Sequence, residues 1–134
     1  RPKILLAEDH ETNRRVFGAI LETIDCELVL AEDGEQAIQA FMDHAFDIVF
    51  MDIQMPHVDG ITAMREIRKI EQKTGSARTP IGAISAHVMQ HHVDATLLAG
   101  ADRHYAKPIR PDEFLAAAQE LLSLRHASQT RKSA

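Results

Sequence analysis

The sequence predicts an α/β domain, a doubly wound five-stranded parallel sheet with five helices packed on its two faces. Five short apolar runs alternate with five stretches whose apolar residues recur at helical spacing. Such alternation calls for right-handed crossovers that cover both faces of a parallel sheet. At 134 residues and 45% hydrophobic, the chain can close one core. It is too short for two ordinary domains of about 100 to 150 residues each.

The first strand is read in KILLAED, residues 3–9, an apolar run that ends in Glu8 and Asp9. Residues 12–24 then set Val16, Phe17, Ile20, Leu21 and Ile24 on one helical stripe. CELVLAE, residues 26–32, is the second strand. Asp33 with Gln36 resembles a capping box, opening a helix that turns Ala37, Ile38, Phe41, Met42 and Ala45 inward.

FDIVFM, residues 46–51, reads as a third strand buried on both faces, and Asp52 follows where the sheet opens to solvent. After the Asp59-Gly60 turn, Ile61, Met64, Ile67 and Ile70 mark a third helix, with Arg65, Arg68 and Lys69 on its solvated side and Gly75 as its stop. IGAIS, residues 81–85, is the fourth strand, and a weaker helix spans about 88–98 before Gly100. HYAK, residues 104–107, is the fifth strand. Pro111 suits a first helical turn and opens the last helix, with Phe114, Leu115, Ala118, Leu121 and Leu122 inward. SLRHASQTRKSA, residues 123–134, loses the apolar period and reads as a solvated linker, so the domain is taken as 1–125 with a polar tail or linker at 126–134.

The formal charge is −5, and residues 126–134 hold Arg131 and Lys132 without an acid, so the first 125 residues carry −7. An acidic body excludes a general binder of nucleic-acid phosphates. Cys26 stands alone, which rules out an intrachain disulfide and fits a reducing, cytoplasmic compartment. No apolar stretch approaches the roughly 18 residues of a membrane span, so membrane insertion of this domain is not expected. The start, Arg1-Pro2-Lys3, has no signal-peptide character and no initiator Met, and reads as a domain cut from a longer polypeptide.

Ligands of open α/β sheets bind outside the carboxyl ends of strands, where the strand order reverses. Glu8 and Asp9 lie past strand one, Asp52 past strand three, Ser85 at the end of strand four and Lys107 at the end of strand five. If the first and third strands are neighbours, three carboxylates meet in one pocket and repel unless a cation stands between them. Lys107 is one such cation. An all-oxygen pocket also suits a hard ion such as Mg²⁺, which shares its shell with a substrate phosphate.

At these residues the chain resembles a known family. LLAEDHETNRR, IVFMDIQMPHVDG, PIGAISAH and GADRHYAKPI look like the receiver domains of two-component response regulators, over residues 3 to about 124. The third-strand motif and the Asn13-Arg14 start of helix one look most like receivers of hybrid sensor histidine kinases. The resemblance implies a flavodoxin-like, CheY-like sheet in the order 2-1-3-4-5. It makes Asp52 the phosphoacceptor for a phosphoryl group from a phosphohistidine, with Mg²⁺ or Mn²⁺ held by Asp9, Asp52, the backbone carbonyl of Gln54 and, through water, Glu8. Lys107 would pair with a phosphoryl oxygen and Ser85 would donate its hydroxyl to it.

The same resemblance makes Lys107-Pro108 a candidate cis peptide, although X-Pro bonds in general favour trans. It also implies a population shift of the fourth helix, fifth strand and fifth helix on phosphorylation. The expected partners are a histidine kinase or a histidine phosphotransfer domain, and other domains of the same longer chain. The expected role is a signalling phosphoacceptor rather than a turnover enzyme, one that assists its own phosphorylation and dephosphorylation.

One position departs from the family pattern. His104 stands where family members usually carry Tyr or Phe, and Tyr105 follows it on the opposite strand face. An imidazole is smaller, polar and titratable, so any switch at His104 is expected to be weaker or pH-sensitive. His87 and His91 have the spacing of a helical zinc pair, but no third ligand is evident and they read as a polar face; an alternative reading of His87, two residues past Ser85, sets it beside the pocket. Met51 and Met55 read as packing. A flavodoxin-like cofactor binder would need phosphate-cradling amides where this chain has Glu8-Asp9-His10. An aspartyl-phosphate phosphatase would want an Asp two residues past its nucleophile, where this chain has Gln54.

Overall fold

In the computed structural model, which describes residues 1–87 and 89–133 and side chains through residue 127, five strands alternate with five helices. They run β1 (Lys3–Ala7), α1 (Glu11–Leu21), β2 (Glu27–Ala31), α2 (Gly34–Asp43) and β3 (Ile48–Asp52). The chain continues through α3 (Gly60–Thr74), β4 (Ile81–Ser85), α4 (Gln90–Ala99), β5 (Arg103–Ala106) and α5 (Pro111–Ser133). All four strand pairings are parallel and the order is β2-β1-β3-β4-β5, as the resemblance implied.

The central strands β3 and β4 are buried at every residue, which is what their unbroken apolar runs require. The edge strands β2 and β5 are half-exposed. Alternation along the strands divides the apolar side chains between two cores. Ile4, Leu6, Ile48 and Phe50 join Phe17, Leu21, Phe114 and Leu121 under α1 and α5. Leu5, Ala7, Val49 and Met51 join Ala37, Ala63, Met64 and Ile67 under α2 and α3. Phe114 stacks on Phe17 with ring centroids 4.7 Å apart and packs tilted against Phe50 at 4.5 Å, and it locks α5 to the sheet.

Local capping follows the sequence. Asp33 accepts from the Gln36 amide at 2.8 Å, while the Gln36 side chain reaches back to the amide of Glu32. Asp59 accepts from the Thr62 amide, and Gly75 ends α3 in the left-handed region at φ 69°.

Several side chains sit elsewhere than the helical stripes suggested. Val16 and Met42 are exposed, and Ala45 lies beyond the end of α2, because the faces turned to the sheet are narrower than the apolar stripes. Arg68 is the larger correction. Its side chain is only 13% exposed and does not lie on a solvated face. It donates to Glu71, to the carbonyls of Thr79 and Gly100 and to Asp102, tying α3 to the segments that enter β4 and β5. The last helix also outruns its apolar period: residues 123–133, expected to trail off as a linker, are helical. Residues such as Leu124, Arg125, Ala127 and Gln129 carry favourable helix propensity without an apolar stripe. Strand bounds move by one or two residues: β3 begins at Ile48 instead of residue 46, and β5 ends at Ala106 instead of Lys107.

Candidate functional site

The buried strand β3 carries Asp52 as its final residue, paired with Ile84 of β4. The carboxylate was expected just past the strand, open to solvent, yet Asp52 is 0% exposed. The β1–α1 turn, with Glu8 at 1% exposure, and the residues after β3 and β5 close over it. Gly60 permits part of this closure. A Cβ there would strike the backbone carbonyl of Asp52, so only glycine lets the start of α3 pass so close beneath the strand end.

Three acids from two strand ends converge. One carboxylate oxygen from each of Glu8, Asp9 and Asp52 lies within 4.8 Å of the others, the one such grouping of three or more metal-ligating side chains among the described residues. Lys107, just past β5, places Nζ 3.0 Å from Asp52 Oδ1 and 3.8 Å from Glu8 Oε2. The amide of Gln54 donates to Asp52 Oδ1 at 3.2 Å, so the peptide after Ile53 also borders the crevice. Lys107-Pro108 is cis.

Burial first, and then the neighbouring Glu8 carboxyl, push the Asp52 pKa from 3.8 up to about 6, against the opposing pull of Lys107. Lys107 alone does not offset the crowding. Glu8 Oε2, Asp9 Oδ1 and Asp52 Oδ2 are all buried without a hydrogen-bond partner. Three orphaned carboxylate oxygens facing one crevice match the ligand set of a hard divalent cation, so the residues fit such an ion. Chemically, the crevice offers a nucleophilic carboxylate beside a fixed ammonium and a place for a charge-neutralising metal.

Ser85 ends β4 and its hydroxyl oxygen is already engaged, by Gln54 Nε2 at 2.9 Å and by the His87 amide at 3.0 Å. Sequence reasoning gave a role only to the backbone carbonyl of Gln54 and missed this side-chain link, which spans 31 residues. It also used Asn13 and Arg14 only as marks of resemblance. Both reach the acid turn: Asn13 donates to Glu8 Oε1, and Arg14 to the carbonyls of Glu8 and Asp9. Their place in the first helical turn after the acids was the available signal.

His104 is half-buried, and its Nε2 is buried without a hydrogen-bond partner. Burial lowers its pKa, opposed by the backbone of His87. Tyr105 faces the other core, packing on Phe50 and bonding Glu120 through its hydroxyl at 2.6 Å, so it does not occupy the place of His104. The His87 and His91 pair is not helical, because α4 begins at Gln90 and leaves His87 in the preceding loop. Their rings instead flank His92, with centroids 4.8 Å and 4.1 Å away. Met51 and Met55 pack in the core as expected.

Residues 4–119 match the family model of the response regulator receiver domain. The sensor protein GacS of Pseudomonas syringae pv. syringae is 36% identical over 108 residues, 81% of this chain. The autoinducer 2 sensor kinase/phosphatase LuxQ of Vibrio vulnificus is 38% identical over 112 residues, 84% of this chain. The chain spans only 12% and 13% of the lengths of these two relatives. No described helix is long and apolar enough to cross a membrane.

Among solved structures, the receiver domain of the sensor histidine kinase PA1611 from Pseudomonas aeruginosa is 33% identical, with TM-score 0.81 over 91% of this chain and 98% of that one. That structure holds a magnesium ion coordinated in its active site cleft. The receiver of the Saccharomyces cerevisiae response regulator Ssk1, solved with the histidine phosphotransfer protein Ypd1, is 26% identical, with TM-score 0.82 over 90% of this chain and 86% of that one.

Proposed function

The chain belongs to the response regulator receiver domain family of two-component systems, and from that premise we propose that Asp52 is its phosphoacceptor. An Asp52 carboxylate oxygen attacks the phosphorus of a phosphohistidine, the P–N bond breaks, and the imidazole leaves with the bonding pair and takes up a proton. The product is an acyl phosphate on Asp52. The observation that carries this reading is the convergence of Glu8, Asp9 and Asp52, each with an orphaned buried oxygen, on a crevice where Lys107 stands 3.0 Å from Asp52.

Asp9, Asp52 and the Gln54 carbonyl would hold a divalent cation directly, Mg²⁺ or Mn²⁺, and Glu8 would hold it through water. Bound there, the ion supplies neutralisation of charge on the phosphoryl oxygens and alignment of the group. Lys107 then binds a phosphoryl oxygen as a point charge, and Ser85 turns its hydroxyl toward another. A phosphorylated chain therefore favours a second arrangement of α4, β5 and α5, the signalling output. His104 lies within this surface and is the candidate switch residue.

The phosphodonor is a histidine kinase or a histidine phosphotransfer domain, and the working context is a longer hybrid-kinase chain on the cytoplasmic side, joined through a polar connector at 126–134. The domain is a signalling phosphoacceptor that assists its own phosphorylation and hydrolysis, with no part in nucleic-acid binding. Incubation with Mg²⁺ and acetyl phosphate should add the mass of one phosphoryl group, read by intact mass spectrometry. The adduct should be absent in Asp52→Asn and when Mg²⁺ is chelated. A stable adduct on the Asp52→Asn chain would remove Asp52 from the role.

A further inference from the structure

Asn13 sits in the first turn of α1, where a stronger helix former would serve the helix better. Its side-chain amide is turned to Glu8, donating to Oε1 at 3.0 Å. Glu8 Oε2 has no hydrogen-bond partner and stands 3.8 Å from Lys107, on the crevice side. The next residue secures the main chain of the same turn: Arg14 Nη1 donates to the carbonyls of Glu8 at 2.9 Å and Asp9 at 3.3 Å. Arg14 Nη2 is braced 3.5 Å from Glu32 beyond β2. Consecutive residues thus clamp the side chain and the backbone of one acid pair.

We propose that Asn13 is a positioning residue for the cation site, holding Glu8 by one oxygen so that the other keeps a fixed place in the crevice and the site favours Mg²⁺ over Ca²⁺. The inference rests on the cation-binding reading given above. Its physical basis is the difference between the two ions. Mg²⁺ demands near-ideal octahedral geometry and keeps ordered waters, which an outer acid must meet at set positions. Ca²⁺ accepts six to eight oxygens in flexible geometry and tolerates an acid that swings. Outer partners that orient ligands contribute to metal affinity without touching the ion. Asn13 is neutral, so its removal changes orientation without adding or deleting a charge.

The test is calorimetric titration of the whole chain with MgCl₂ and, separately, with CaCl₂, for the wild type, Asn13→Ala and Asn13→Leu. Leucine keeps the heavy-atom branching of asparagine and favours the helix, so it stands in where the alanine variant folds poorly. Both variants should lose about tenfold in Mg²⁺ affinity. Their Ca²⁺ affinity should change by less than about twofold, so the Mg²⁺-to-Ca²⁺ ratio falls. A merely structural role would lower the unfolding temperature and leave that ratio unmoved, and an unmoved ratio in either folded variant overturns the inference. If the wild type binds Mg²⁺ and the variants match it, only the role of Asn13 is lost. A wild type that binds neither ion overturns the proposed function as well.

Discussion

Replacing Asp52 with asparagine should stabilise the metal-free protein. A carboxylate at 0% exposure, crowded by Glu8, has its pKa raised from 3.8 to about 6. At about 1.4 kcal/mol for each tenfold change in proton affinity, the ionised form costs the native state up to about 3 kcal/mol. Between pH 3.8 and about 6 the native state keeps a proton that the unfolded chain has released, so this group's contribution falls as pH rises through that window. Above it the whole cost stands.

Asparagine resembles the protonated acid and avoids the cost, so in EDTA at pH 7.5 the variant should unfold at a midpoint up to about 9 °C higher, at roughly 3 °C per kcal/mol for a domain of this size. At pH 4 the difference should nearly vanish. Saturating Mg²⁺ should reverse the order, because the wild type gains binding energy that the variant cannot. Thermal unfolding by circular dichroism at the two pH values, with EDTA and with Mg²⁺, reads all of this. An Asp52→Asn chain less stable than wild type in EDTA at pH 7.5 would refute the burial argument.

Lys107→Ala removes a cation that competes for the same oxygens, so Mg²⁺ affinity by calorimetry should hold or rise. Phosphorylation by acetyl phosphate should nonetheless slow by about a hundredfold, since a charge donor to the transferring group is gone. Arg68→Ala leaves Glu71, 6% exposed, without its cation, and should cost about 3 to 5 kcal/mol in denaturant unfolding. Gly60→Ala forces a Cβ onto the Asp52 carbonyl and should lower both stability, by about 2 kcal/mol or more, and Mg²⁺ affinity, because the strand end must shift. At His104 the depressed pKa means that the native ring stays neutral as pH falls through 6.5 while the unfolded ring charges, so its contribution to stability is full above that value and is lost at lower pH. With the native ring neutral at both values, phosphorylation-induced chemical-shift changes around α4 should match at pH 6 and pH 8, and a difference between them would show that the His104 ring charges in that window.

The engaged state of Ser85 bears on how the domain responds. Its hydroxyl oxygen accepts from both Gln54 Nε2 and the His87 amide before any phosphoryl group arrives. Both acceptor positions being filled, the O–H is the part of Ser85 left to donate, as the proposed phosphoryl contact requires.

Much of this protein was legible from residue order alone. Apolar periodicity is a local property, and it placed five strands and five helices in sequence, Asp33 and Asp59 at helix starts, Gly75 at a helix end, and Glu8, Asp9, Asp52, Ser85 and Lys107 at or beside strand ends. Tertiary structure alone decided which of those groups meet water. Asp52 reads as an acid at an opening and is sealed beneath turns from other strands. Arg68 reads as a solvated charge and is spent on acceptors 3 to 34 residues away. Asn13 reads only as a mark of resemblance, and it grips Glu8. A pattern along the chain records how often a side chain returns to one face, but a charge's surroundings depend on distant segments that only the closed sheet brings within reach.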